Sequence, residues 1–116
     1  MPVPSKKVFK FPDGESMDLY YIGELAHRLG REPKTIRNWE ISGILPRTIF
    51  KDGAGNRMYS KDQISIIVSC AEEVQLKRGS KYTHTAFANK VYKQLDSLTQ
   101  EYLNRLNEKA EENSYA

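Results

Sequence analysis

The sequence predicts a mostly α-helical chain with a small two-stranded β-hairpin near its middle and a helix or helix pair at its C-terminal end. Three observations predict it. Apolar residues recur at three- and four-residue steps over residues 21–29, 60–76 and 83–112. Between residues 47 and 59 the period changes to alternation around a glycine-rich loop. Glycine and proline stand at the joints, at Gly30, Pro33, Gly43 and Gly79.

Residues 1–18 form an arm. Val8-Phe9-Lys10-Phe11 alternates like a short strand and Pro12-Asp13-Gly14 is a turn signal, so the arm is either a small hairpin with Met17–Tyr20 or loose. Tyr21–Leu29 carries one apolar stripe, Ile22, Leu25, Ala26 and Leu29, and Gly30 closes that helix. Pro33 opens a second helix, where its missing N–H costs nothing, and Ser42-Gly43 stops it. Its buried face is Ile36 and Trp39; Lys34, Thr35, Arg37 and Asn38 face outward. Two short helices joined by a glycine-containing turn make a helix-turn-helix.

Arg47–Lys51 reads as a strand, Asp52–Asn56 as a loop and Arg57–Tyr59 as the returning strand, together a two-stranded wing. Ser60 caps a third helix, with Gln63 at the capping-box position, and the apolar stripe carries it to Arg78-Gly79. A last helical region runs from Thr83 to about Glu112. The expected organisation is therefore an arm (1–18), a winged helix-turn-helix (19–79), a C-terminal helical region (80–112) and a frayed tail (113–116).

The charge is local. The formal net charge is +3, and residues 19–62 hold eight basic groups against five acidic ones while the two flanks each balance. A basic surface attracts polyanions by releasing the counterions condensed on phosphate, although a small excess is also what a solvated face carries. No apolar run is long enough to span a bilayer, and the N-terminus has charge with no apolar stretch behind it, so neither a membrane span nor a secretory signal is expected. The single cysteine, Cys70, sits in an apolar helical pattern and reads as a small core residue, which fits a reducing cytoplasm, with the protein on the nucleoid. One cysteine and two distant histidines, His27 and His84, supply no metal site, and no cofactor or small-molecule effector is expected. No nucleophile–base spacing, phosphate-cradling loop or carboxylate pair stands out, so the chain is not read as an enzyme.

Several short signatures now fall in register. Tyr21-Ile22-Gly23-Glu24-Leu25-Ala26, Gly30, Pro33-Lys34-Thr35-Ile36-Arg37-Asn38-Trp39-Glu40, Gly43-Ile44-Leu45-Pro46 and Arg57-Met58-Tyr59-Ser60 resemble the winged helix-turn-helix of the MerR family and its excisionase-like relatives. The resemblance covers residues 20–70. It implies a second helix that enters the major groove of DNA, a wing against the flanking backbone or minor groove, and dimerisation through a C-terminal helix. Here Asn38-Trp39 stands where the family often has two aromatics, and Glu32 where Ser or Thr would cap.

The function this predicts is sequence-specific binding of double-stranded DNA by a transcriptional regulator. The alternatives are an architectural DNA-bending factor, such as an excisionase or a phage or plasmid maintenance protein, and a protein-interaction module that has lost DNA binding. The candidate DNA-binding residues are Lys34, Thr35, Arg37, Asn38, Arg47, Lys51, Arg57 and Tyr59. Arg37 can donate a bidentate pair to guanine, and the Asn38 amide matches adenine. Lys34 and Thr35, in the first turn of their helix, can reach phosphate or base edges, and Arg47 and Lys51 suit phosphate. Arg57 has two readings: a DNA contact at the base of the wing, or an ion pair with Glu40 that locks wing to helix. The C-terminal stripe Phe87, Val91, Leu95, Leu98, Tyr102 and Leu106, with Arg105 interrupting it, reads either as a seam with a second copy or as a helix folded back over Val68, Ala71 and Val74.

Overall fold

The computed structural model describes residues 6–114, with α4 side chains described through residue 107. The elements are β1 (Lys6–Lys10), β2 (Ser16–Tyr21), α1 (Ile22–Leu29), α2 (Pro33–Ser42), β3 (Phe50–Lys51), β4 (Arg57–Ser60), α3 (Lys61–Glu73) and α4 (Lys81–Ser114). The helix-turn-helix forms as predicted. Gly30 is left-handed (φ 65°), and Arg31 N–H reaches back to the Ala26 carbonyl at 2.9 Å, which ends α1 cleanly. Pro33 opens α2 behind Glu32, whose side chain makes no cap bond. Ser60 and Gln63 form the reciprocal capping box of α3.

From Lys6 onward the arm is a hairpin and not a separate piece. β1 pairs antiparallel with β2, β2 pairs with β4, and β4 pairs with β3, giving one four-stranded sheet in the order β1-β2-β4-β3. The wing is thus the far half of a sheet that the arm completes. Its first strand is shorter than the alternation predicts. Only Phe50 and Lys51 pair with Met58 and Arg57, because the Thr48 hydroxyl takes over as donor to the Met58 carbonyl and acceptor from Phe50 N–H.

Helix α3 also stops early, at Glu73 instead of near Arg78, since Gln75 turns left-handed (φ 52°) and Leu76 N–H closes on the Ala71 carbonyl at 3.0 Å. The C-terminal region is one continuous helix of 34 residues and not a pair. At 1.5 Å per residue it is about 51 Å long, which is the long dimension of the molecule. Asn113 and Ser114 continue its backbone, and the expected fraying at residues 115–116, like the first five residues of the arm, lies outside the described residues.

α4 folds back on its own chain. Phe87, Val91 and Leu95 are buried in the same cluster as Leu25, Ile36, Trp39, Ile64, Ile67 and Cys70. Further along, Tyr102 is buried with Phe11, Leu19, Phe50 and Met58. Leu98 and Leu106 are half-buried against these clusters. The stripe read as a possible seam between protomers is therefore spent inside the chain, because helix-spaced apolar residues must be covered and α3 and the sheet are nearest. For the same reason, residues 20–78 do not enclose a complete core without Phe87, Val91 and Leu95. The fold-back reading predicted cover for Val68, Ala71 and Val74, yet these remain half-buried at the core's margin.

Among the described residues no helix is long and apolar enough to cross a membrane, and no group of three or more His, Cys, Asp or Glu side chains gathers to hold a metal ion.

Candidate nucleic-acid interface

Helix α2 is divided lengthwise. Ile36, Trp39 and Glu40 are buried, while Lys34, Arg37 and Asn38 are exposed and Thr35 is half-buried. At 100° per residue the exposed set occupies the side opposite Ile36. Ile41 belongs to that side too, one turn after Arg37, and is 70% exposed. The sequence reading passed over Ile41, although its spacing of four from Arg37 placed it on the outer face.

The inner face of α2 is anchored to helices. Trp39 packs at a tilt against Phe87 and edge-on to His84 of α4, with ring centroids at 5.4 and 5.7 Å. His84 is half-buried there, with Nδ1 2.7 Å from the Ser80 carbonyl oxygen.

Glu40 ties α2 to the wing. It is 4% exposed, and its two oxygens are used separately. Oε1 accepts from Arg57 Nε at 3.0 Å, and Oε2 accepts from the Tyr59 hydroxyl. Arg57 therefore follows its second reading, as the ion-pair partner of Glu40. Tyr59, placed among the DNA contacts, is corrected: only 2% exposed, its ring lies in the helical core and its hydroxyl is committed to Glu40. Met58 and Tyr59 face opposite sides of the sheet, and each side is covered, Met58 by the cluster of Phe11 and Tyr102 and Tyr59 by the helical core, so β4 is buried on both faces. Burial, and then the hydrogen bond and negative charge of Glu40, push the Tyr59 phenol far above its usual range, against a smaller opposing effect of Arg57.

Between α2 and the wing lies an open cleft of about 120 Å³ lined by Tyr21, Ile22, Arg37, Gly55, Asn56 and Arg57. Lys51 is exposed on β3, opposite Arg57 in register. The wing loop is internally braced. Asp52 accepts from Ala54 N–H and Asn56 N–H at 2.9 Å each, from the Asn56 amide at 3.0 Å and from the Tyr21 hydroxyl at 3.3 Å. These bonds, the Asn56 side chain first, hold the Asp52 carboxyl below the usual range. Arg47 is exposed but stands apart from this cleft: it precedes β3 and borders a crevice beside Leu95 and Thr99 of α4. Lys34, Arg37, Arg47 and Lys51 make no ion pair among the described residues.

Residues 20–72 match the family model described as MerR HTH family regulatory protein. These residues are a MerR-like winged helix-turn-helix. A MerR-type domain supports a DNA-binding transcription regulator in general, and regulators of this family are not enzymes. The matched segment runs from the end of β2 through α3, and leaves most of the hairpin and all of α4 outside it. No curated protein and no solved structure matches the chain.

Proposed function

We propose that this MerR-like protein regulates transcription by binding a specific duplex DNA site. In this reading α2 enters the major groove and the wing lies along the flanking backbone. The observation that carries it is the juxtaposition of exposed groups: Lys34, Arg37, Asn38 and Ile41 share one open face of α2, the wing loop faces Arg37 across a cleft, and Lys51 is exposed on β3 opposite Arg57, which lines that cleft. Among the described residues ion pairs hold Arg57 but none of these.

Each residue then has a distinct chemical role. Arg37 offers a planar fork to guanine O6 and N7, and the Asn38 amide offers one donor and one acceptor to adenine. Ile41 offers an apolar surface to a thymine methyl. Lys34 and Thr35, at the positive end of α2, and Lys51 on the wing take phosphates.

Selection of bound duplexes from a random library tests the reading. A recovered consensus supports it. Arg37→Ala then costs about 1–3 kcal/mol on the selected site and flattens the sequence preference. Lys51→Ala weakens all duplexes alike and lowers the slope of log affinity against log salt by about one. Uniform loss in both variants overturns this division of roles. Absence of any salt-dependent DNA affinity favours the protein-interaction module instead.

A further inference from the structure

The wing cannot hold itself. Its ladder is two residue pairs long, and a two-stranded ribbon that short is marginal alone. Beside the bonds from Glu40 and Tyr21, it is supported by segments outside residues 20–72. The Phe50 ring sits 5.3 Å from Phe9 of β1 and 5.4 Å from Tyr102 of α4. The Tyr102 hydroxyl is 2.7 Å from Ser60 Oγ, at the point where β4 becomes α3.

The two supporting segments are fastened to each other. Arg105 Nη2 donates to Glu15 Oε2 at 2.9 Å and to Asp13 Oδ2 at 3.4 Å, at the tip of the hairpin. Its guanidinium carbon lies 3.8 Å from the centre of the Phe11 ring. The turn is built to present both carboxylates. Phe11 N–H bonds the Glu15 carbonyl at 2.8 Å, Gly14 N–H bonds the Phe11 carbonyl at 2.9 Å, and Glu15 N–H bonds Asp13 Oδ1 at 2.8 Å. A planar cation over an aromatic face, with carboxylates at its edge, fixes angle as well as distance. The residue that interrupts the apolar stripe of α4 is thus the one that meets the hairpin.

We propose that this clasp of Arg105 with Asp13, Glu15 and Phe11, together with Tyr102, positions the wing against α2 for DNA. The proposal rests on the DNA-binding reading above. Arg105 and Tyr102 are positioning residues: they touch the hairpin and the wing root, and act on DNA only through Lys51 and the wing loop. Partly exposed ion pairs contribute little to global stability, so losing the clasp loosens the sheet without unfolding the helices.

Two measurements on the full chain test it. In the free protein, Arg105→Ala accelerates amide exchange at residues 16–21 and 50–58 by about tenfold and leaves α1 and α2 unchanged. Arg105→Lys, which keeps the charge but not the planar fork, restores part of the protection. Unchanged exchange in the wing, or equal acceleration in α2, overturns the mechanical claim.

The second measurement is a double-mutant cycle on the selected duplex. Lys51→Ala lowers the salt slope by about one in the parent and by less than about half that in Arg105→Ala. Lys34→Ala costs the same in both backgrounds, which a merely destabilised protein would not show. Equal Lys51→Ala effects in both backgrounds overturn the positioning role. A parent protein that binds no duplex overturns the DNA reading, and with it the purpose of the clasp, while the exchange pattern still decides whether the clasp holds the wing.

Discussion

The core around Trp39 and the core around Phe11 are built from different material and support different halves of the interface. The first joins all four helices and fills the space between them with Leu25, Ile36, Ile64, Ile67, Phe87 and Val91. The second joins the sheet to the far half of α4 and is largely aromatic, with Phe9, Phe11, Phe50 and Tyr102 in edge-on or tilted contact. Helix α2 stands on the first and the wing stands on the second. Leu98 touches both and the Tyr59 ring of β4 enters the first; the polar part of the joint is Glu40 on α2, which holds Arg57 and Tyr59 on β4. Orientation of helix to wing is therefore set by the directional bonds of Glu40 and the seating of the Tyr59 ring, whereas most of the stability of each half comes from its own apolar cluster.

The sharpest way to break this division is to empty one core. Phe87 is fully buried beside Trp39. Phe87→Ala should cost about 3–5 kcal/mol, read as a lower urea midpoint, since it removes the ring and leaves a cavity. Exchange protection in α2 should fall first. Phe11→Ala should instead expose the wing amides first. If both variants lose α2 and wing protection together, the two clusters act as one and the comparison fails.

Next in size is the joint itself. Glu40→Ala leaves a half-buried guanidinium and a buried phenol without their acceptor, at a cost of about 3 kcal/mol. Glu40→Gln keeps the shape and one acceptor oxygen, and should lose less. Near-native stability in Glu40→Ala would show that the Arg57 and Tyr59 groups find other partners, and that the joint does not set the angle.

How much of this was legible in the sequence follows the same division. The helical core was readable because its residues recur at local spacing: Leu25, Ile36, Trp39 and Ile64 identify themselves within single elements. So was the outer face of α2, which is simply what the stripe leaves out. The aromatic core was not. Phe11 meets Tyr102, and Arg105 meets Glu15, ninety residues apart, and no local period encodes such a pairing. Hence the arm read as either hairpin or loose segment, and the α4 stripe as a possible partner seam. Tyr59 was misread for a related reason: alternation shows which residues of β4 share a face, but not that distant segments would cover both faces, the helical core over Tyr59 and the cluster of Phe11 and Tyr102 over Met58.

The polar joint also has a pH signature. Burial foremost raises both the Tyr59 and the Tyr102 phenols, and Glu40 adds to the rise at Tyr59. A group whose folded pKa is raised contributes stability that is complete below its unfolded pKa, near 10 for a phenol, and lost as pH rises through the folded value. Stability should thus hold through neutral pH and decline only above about pH 10. In an ultraviolet titration of the seven tyrosines, these two should ionise last, together with unfolding. Ionisation of all seven as one normal group in the folded protein would place Tyr59 outside the joint.

The smallest expected effect runs the other way and lies outside both cores. Helix α3 ends because Gln75 adopts φ 52°, a left-handed conformation in which a side chain crowds its own backbone. Glycine is the residue that fits there, and the bond from Leu76 N–H to the Ala71 carbonyl requires that geometry. Gln75→Gly relieves about 1 kcal/mol of that crowding, and gives part of it back through the greater freedom of glycine in the unfolded chain. A net gain of about 0.5 kcal/mol follows, a rise in Tm of about 2–4 °C for a chain of this size. Gln75→Val should lose about 1 kcal/mol, because a β-branched side chain tolerates the conformation least. Neither change touches Trp39 or Phe11, so wing and α2 protection should shift by the same small amount. Should valine prove as stable as glycine, the left-handed turn is not what stops α3. The stop would then belong to the packing of Leu76 against the helical core, and would move with Phe87→Ala.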